Sequence, residues 1–351
     1  IEPQPGVFDD NEVEHYRKVL ECCRANGIEP IVTMHHFTSP KWLIEQGGWE
    51  AEATIERFSN YCGYVVERLG NLFTYVCTIN EANMGIQIAA ISKRYMQMMK
   101  KNQSAEGQVQ VGVNLENPLV ERMKKQAAEN MKIFGTPQPQ VFVSGRTPES
   151  DILVMKAHQA AKAAMKAVNP ELQIGITLSL HDIQALSGGE EAAAKEWNEE
   201  FLHYLPYIKD DDFFGVQNYT RTLIGADGSL PVPEGAETTQ MGYEFYPESL
   251  GHVIRTVHKS LPIPLFVTEN GVAVSDDTRR VAFIDEALKG VQGCIDDGIP
   301  VKGYMYWSLM DNFEWQKGFS MTFGLIAVDR LTQKRTPKPS LTYLGSYQIR
   351  D

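Results

Sequence analysis

The chain has 351 residues, 43% hydrophobic and 22% charged, an ordinary globular balance with enough apolar side chains for a large core. A formal net charge of −12 argues against nucleic acid and anionic membranes as partners, since both attract basic patches. No apolar run reaches the ~18–20 residues of a membrane span, and the length suits two domains or one large α/β barrel.

The first stretch, IEPQPGVF, carries neither an initiator Met nor a signal-peptide pattern and reads as the loop after a strand. Residues 10–26 then place Val13, Tyr16, Leu20 and Cys23 at helical spacing, with Gly27 as the stop. PIVTMHHF (30–37) is a short apolar, β-branched run and predicts a buried strand. Residues 51–69 predict a helix whose inner face carries Ile55, Phe58, Cys62, Val65 and Leu69, followed by a strand at FTYVCTIN (73–80). The segment 84–150, with YMQMMKKNQ and ERMKKQAAENMKIFGTPQPQ, is too long for a plain strand-to-helix loop and is expected to carry short helices of its own. Lying directly after the strand that bears Glu81, it is expected to overhang that strand's end.

Four further pairs complete the alternation. A helix at 151–168 ends at Asn169-Pro170 and precedes the strand QIGITLSL (173–180). A Glu/Ala-rich helix (189–204) precedes FFGVQNYT (213–220), a helix at 247–261 precedes PLFVTENG (264–271), and a long helix at 276–297 precedes VKGYMYWSL (301–309). Strands apolar on both faces and alternating with helices indicate parallel strands covered by helices. A doubly wound nucleotide fold would carry GxGxxG or GxxxxGK[ST], and neither is present. Polar residues instead crowd the C-terminal ends of the strands: His35-His36, Asn80-Glu81, Gln217 and Tyr219, Glu269-Asn270, and Trp307. That is the active-site rim of a TIM (β/α)8 barrel, of which six strands are counted.

The five cysteines (Cys22, Cys23, Cys62, Cys77, Cys294) form no CxxC, include an adjacent pair and are odd in number. They read as reduced thiols, mostly small core hydrophobes, in a cytoplasmic protein. His35 and His36 are adjacent strand residues that point to opposite faces, and no HExxH or HxH occurs, so neither metal nor cofactor is expected.

Glu81 and Glu269 stand at equivalent strand ends, each beside an Asn, Asn80 before the first and Asn270 after the second. Either alone would pass for a helix cap or a rim ion pair. Two such acids on one rim, among amides and aromatics, meet the requirement of glycosidic bond cleavage, where one carboxyl is protonated to assist the leaving group and the other is ionised.

The motifs also resemble those of a known family. TINEAN resembles TFNEP, VTENG resembles ITENG, YWSLMDNFEW with FGLIAVD resembles the eighth-strand region, and IVTMHHFTSPKWL is similar to the third-strand region of glycoside hydrolase family 1, the retaining β-glycosidases such as β-glucosidase. The resemblance runs from Ile1 to the C-terminus. It implies Glu81 as general acid/base and Glu269 as nucleophile, with the two carboxyl groups ~5–5.5 Å apart as retention requires. It implies that Asn80 contacts the sugar 2-hydroxyl, that Tyr219 hydrogen-bonds the nucleophile, and that His36 binds the sugar. Trp307 would lie under the ring, Glu314 and Trp315 would grip the distal hydroxyls, and Phe37, Gln217, Asn270 and Phe323 would support the site. The implied substrate is a small-molecule β-glycoside or oligosaccharide. Glu314 stands where members acting on 6-phospho-sugars carry Ser, so neutral sugars are expected, since a carboxylate repels phosphate.

Three departures are small: Ala82 stands where the family has Pro, Phe37 where Trp is usual, and Gln217 where Asn is usual. A larger one is at the front. IEPQPGVF resembles the stretch after the family's second strand, so the chain is expected to be a single barrel domain holding the third to eighth strands, part of a longer product. The absent strands carry a sugar-binding Gln and an Arg beside the nucleophile, and their absence would leave open sheet edges. The 351 residues alone are therefore expected to be unstable or poorly active. Two alternatives to hydrolysis remain, transfer of the sugar to another acceptor by the same residues, and sugar binding without catalysis.

Overall fold

A computed structural model of the chain describes residues 1–93, 118–315 and 317–347. These form two compact units, Ile1–Ile176 and Thr177–Asp351.

The first unit holds strands β1 (Ile31–His35) and β2 (Tyr75–Ile79) and the start of β3 (Gln173–Ser179). They are parallel neighbours in that order: Ile31 lies opposite Tyr75, His35 opposite Ile79, and Tyr75 opposite Gln173. Helix Asp10–Ala25 precedes β1, helix Ala53–Leu69 joins β1 to β2, and helix Pro148–Val168 precedes β3. The second of these forms because Thr54, Phe58, Cys62, Val65, Val66 and Leu69 recur at helical spacing and are all buried. The third starts at a capping box, in which the Thr147 side chain accepts from the Ser150 N–H while Ser150 Oγ accepts from the Thr147 N–H. At its far end the Asn169 side-chain amide donates to the Gly70 carbonyl at 3.2 Å, tying together the ends of the two helices. Val76, Ile79, Val154, Met155 and Met165 are fully buried, each contributing roughly 1.5–3 kcal/mol of transfer free energy. One polar group lies among them without cost, because Thr78 Oγ1 meets His158 Nδ1 at 2.8 Å.

The second unit contains β5 (Phe213–Gln217), β8 (Leu265–Asn270) and β9 (Val301–Tyr306), again parallel, with Gln217 opposite Glu269 and Asn270 opposite Tyr306. Just past β3, the Leu180 N–H donates to the Gln217 carbonyl at 2.8 Å. Helices Glu190–Glu200, Ser249–Ser260 and Asp277–Asp296 stand between these strands in the chain. Two smaller sheets join them: β4 (Asp182–Ala185), β6 (Arg221–Gly225) and β7 (Gly228–Ser229), and the hairpin of β10 (Ile326–Val328) and β11 (Arg335–Pro337). The six expected strands are all present, shorter than the apolar runs that announced them.

Some expectations need correction. β2, β3, β5 and β8 are buried on both faces as expected, but β1 and β9 are not. Among the described residues each of those two has a strand partner on one side only. Beside β1 lies a groove of about 880 Å³ lined by Val32, Thr33 and Met34 together with Tyr16, Val19 and Tyr61. Tyr16, expected on a buried helix face, is accordingly 48% exposed. Three cysteines are buried, but Cys22 is exposed and Cys23 partly so, and all five are free thiols. Within 84–150 the described residues are helical at 84–93 and again over the 17 residues Pro118–Phe134, as expected, and the next helix already begins at Pro148. The stretch YMQMMKKNQ lies outside the described residues. No described helix is long and apolar enough to cross a membrane.

His35 ends β1 in the core, its ring 4.7 Å from those of both Trp49 and Phe142, with Nε2 3.0 Å from Ser39 Oγ. Burial, with smaller contributions from His36 and Arg146, pulls its pKa from 6.5 to about 3. A folded-state value below the unfolded one means that the unfolded chain binds the extra proton between those limits. The stabilising contribution is therefore present above pH 6.5 and lost as pH falls, by about 1.4 kcal/mol per pH unit. Urea unfolding at pH 7 and pH 5 should show this loss in the wild type and a shallower one in His35→Gln.

Candidate active site

In the first unit, β2 carries the chain to Asn80 and Glu81. The Asn80 N–H still donates to the His35 carbonyl at 2.9 Å, so the β1–β2 ladder holds one residue beyond the strand. Glu81 then leaves the sheet with φ +41°, in the left-handed region that a residue with a Cβ adopts at a cost. Its carbonyl accepts from the Met84 N–H at 2.9 Å, which closes the turn. Glu81 is 8% exposed, and Ala82 and Asn83 after it are fully buried. An acid at the end of an apolar strand is thus fixed by the sheet before it and the buried turn after it.

His36 Nε2 lies 3.4 Å from the Asn80 side-chain nitrogen. Burial holds the His36 pKa below its ordinary value, so the ring is neutral at pH 7. Phe37 takes φ +67° and is buried, packing 5.1 Å from the His36 ring and stacked at 5.8 Å on Phe142.

Sequence reasoning missed Arg146, which is 5% exposed. Its Nη1 donates to the Phe142 carbonyl at 3.0 Å, its Nη2 donates to the Ala82 carbonyl, and its backbone N–H donates to the Gly85 carbonyl at 3.1 Å. The guanidinium lies over the Phe142 ring at 4.7 Å and meets buried Asp151 at 3.4 Å. It was invisible because the contact joins the two ends of the long segment after β2; an Arg directly before the Thr-Pro helix start was the one available signal.

In the second unit, β8 delivers Glu269 and Asn270. The Tyr219 hydroxyl donates to Glu269 Oε2 at 2.6 Å, a short charge-assisted bond if the carboxylate is ionised. Glu269 is 8% exposed. Its backbone carbonyl accepts from the Asn218 N–H at 3.2 Å. Asn218, between two expected site residues, proves to be a buried hub. Its amide donates to the Leu180 and Thr220 carbonyls, each at 2.9 Å, its Oδ1 accepts from Ser249 Oγ at 2.7 Å, and its carbonyl accepts from the Asn270 amide at 2.7 Å. Asn270 Oδ1 in turn accepts from the Tyr304 hydroxyl at 2.9 Å. Both amides are thereby locked, and with them the strand end that bears Glu269.

Trp307 follows β9, its N–H donating to the Asn270 carbonyl at 2.9 Å, and its peptide bond to Ser308 is cis. A Cβ at position 271 would lie 2.0 Å from the Trp307 carbonyl oxygen, so this close approach of backbones needs Gly271. Glu314 and Gly318 exchange backbone hydrogen bonds of 2.7 Å in both directions, a tight turn that presents Glu314 and Trp315. Burial raises the Glu314 pKa above the usual carboxylate value, against a lowering by the Trp315 N–H, and Trp315 is 42% exposed. Phe323 is buried with its ring edge-on to Tyr219 at 6.2 Å, and Gln217 is fully buried.

Within the first unit the fold therefore gathers His36, Phe37, Asn80 and Glu81, and within the second it gathers Gln217, Tyr219, Glu269, Asn270, Trp307 and Phe323, with Glu314 and Trp315 on their own turn. Among the described residues no group of three or more His, Cys, Asp or Glu side chains is arranged to hold a metal ion.

Comparison with known proteins gives these strand ends a common context. The model of glycosyl hydrolase family 1 matches residues 3–133 and 209–349, which include both glutamates. The solved structure of β-glycosidase BGL167 is 41% identical, covers 98% of this chain and 78% of its own, and superposes with a TM-score of 0.85. A β-glucosidase from an Agrobacterium species is 27% identical over 95% of this chain and 75% of its own length, and a β-galactosidase from Pyrococcus woesei is 25% identical over 96% and 72%. Since one family pattern spans the strands of both glutamates, and a relative shares two residues in five across nearly the whole chain, this protein belongs to glycosyl hydrolase family 1 and carries its (β/α)-barrel fold.

Proposed function

We propose that the protein hydrolyses β-glycosidic bonds of neutral glycosides with retention of configuration, using Glu269 as nucleophile and Glu81 as acid/base. The observation that carries the reading is the 2.6 Å hydrogen bond from Tyr219 to Glu269 Oε2. A donor at that distance stabilises the ionised carboxylate and fixes its orientation, as a nucleophile requires. In the first step a Glu269 oxygen bonds to the anomeric carbon while the glycosidic oxygen leaves with the proton of Glu81. In the second, Glu81, now ionised, takes a proton from water, the water oxygen bonds to the anomeric carbon, and Glu269 departs as carboxylate. A sugar as acceptor in place of water would give transfer by the same two steps, and product analysis separates the two.

Asn80 and His36 bind sugar hydroxyls in this reading. The neutral imidazole of His36 can donate from one nitrogen and accept at the other. Trp307 offers a flat apolar face to the C–H side of the ring, and Glu314 and Trp315 hold the distal hydroxyls. Phe37 braces His36 in the first unit, Gln217, Asn270 and Phe323 brace Glu269 in the second, and the segment 84–150 contacts the aglycone.

Three outcomes are expected. A 2-deoxy-2-fluoro β-glucoside with an activated leaving group should label the Glu269 peptide covalently, as read by mass spectrometry. Reversible binding without a label would instead favour a sugar-binding protein. Tyr219→Phe removes the donor to the nucleophile and should lower kcat/KM by about 100-fold with the fold intact by circular dichroism. Glu314 accepts hydroxyl hydrogen bonds best when ionised, and its pKa is raised. KM for a neutral glycoside should therefore climb as pH falls, beginning above the range of ordinary carboxylates, and this rise should be absent in Glu314→Gln.

A further inference from the structure

Glu81 occupies a backbone conformation that costs of order 1–3 kcal/mol and persists only where its surroundings over-determine it. The ladder ends at Asn80, and the turn 81–83 then runs straight into a helix that starts at residue 84, so this junction needs a hold of its own. The chain's own answer is 60-odd residues away, at Arg146.

We propose that Arg146 is a positioning residue for the general acid/base, acting through the backbone of the turn that follows Glu81. The proposal rests on the reading of Glu81 given above. Three independent contacts converge on that turn. The guanidinium donates to the carbonyl of Ala82, the residue next to Glu81. The Arg146 backbone N–H donates to the Gly85 carbonyl at 3.1 Å, so one residue grips both the turn and the start of the helix that follows it. Gly85 also lies directly against the guanidinium: a Cβ there would sit 2.5 Å from Cζ and from Nε. The turn cannot shift toward Arg146, and Ala82 cannot shift away without leaving a buried donor unmet.

The grip is itself held rigid. Asp151, on the first turn of the helix Pro148–Val168, meets Arg146 at 3.4 Å, with both side chains 2% exposed. The Phe142 ring lies under the guanidinium, and its carbonyl takes Nη1. A planar fork is required, since a single ammonium cannot reach the Phe142 and Ala82 carbonyls and Asp151 at once. Phe142 also stacks on Phe37, so the same cluster braces the wall beside His36.

Positioning of an acid has a kinetic signature that general destabilisation lacks. Expulsion of an alkoxide needs a proton in the transition state, worth about 10²–10⁴-fold, whereas 2,4-dinitrophenolate leaves without one. Arg146→Lys keeps a charge against Asp151, and the double variant Arg146→Met/Asp151→Asn removes both charges so that neither is left buried alone. For both, kcat/KM toward methyl β-glucoside should fall about 100-fold, against less than about 5-fold toward 2,4-dinitrophenyl β-glucoside, with Glu81→Gln as the reference for full loss of the acid. Equal losses on the two substrates, or no loss on either, would overturn the role of Arg146 while leaving that of Glu81 standing. No difference between the substrates in Glu81→Gln would overturn the reading of Glu81 itself, and this proposal with it.

Discussion

A carboxylate at the end of a buried parallel strand loses water and finds no sheet partner to replace it, because the ladder offers only backbone groups. The Tyr219 hydroxyl, 2.6 Å from Glu269 Oε2, is one answer to that constraint, and much of the second unit serves to keep it in place. Asn218, the residue before Tyr219, spends its side chain entirely on backbone carbonyls and Ser249, and its carbonyl accepts from Asn270, the residue after Glu269. The tyrosine and its acid are thus tied together twice, once by their own hydrogen bond and once through the neighbouring asparagines. Such closed networks are worth more than their separate members, since the low local dielectric makes each unmet partner expensive.

The first unit meets the same constraint differently. At Glu81 the backbone itself is bent, with Ala82 and Asn83 fully buried behind it. The two strand ends resemble each other in sequence, an acid beside an amide, yet the first turns its backbone into the left-handed region at the acid and the second does not. The proton-transferring group and the bond-forming group have different demands in the proposed chemistry. An acid/base must exchange protons with two different oxygens, whereas a nucleophile must stay ionised and aimed.

Much of this was legible in the sequence. Apolar runs closed by Asn-Glu or Glu-Asn located both strand ends, because a fully buried strand admits no other pattern and the acid marks where burial stops. The motifs around Tyr219, Trp307 and Glu314 were equally readable. The one-sided pairing of β1 and β9 among the described residues is the open edge that the family resemblance implies, whereas composition alone reads both strands as covered on both faces. Tyr16 has the spacing of a buried face and yet lines an open groove beside β1. The sheet of β4, β6 and β7 escaped notice because strands of two to five residues carry too few alternations to show a period. Arg146 and Asn218 escaped because their importance lies in contacts across long stretches of chain, for which local patterning holds no record.

Gly85 and Arg146 share one volume. The guanidinium fills the space that any side chain at position 85 would need, and the missing side chain is what lets the guanidinium reach Ala82. In evolutionary terms the two positions are a single character. A lineage that replaces the glycine must first give up the arginine, and one that gives up the arginine is released from the glycine. Drift through this part of the family should therefore proceed in paired steps, and the pair should be inherited together wherever the buried turn after the acid is retained.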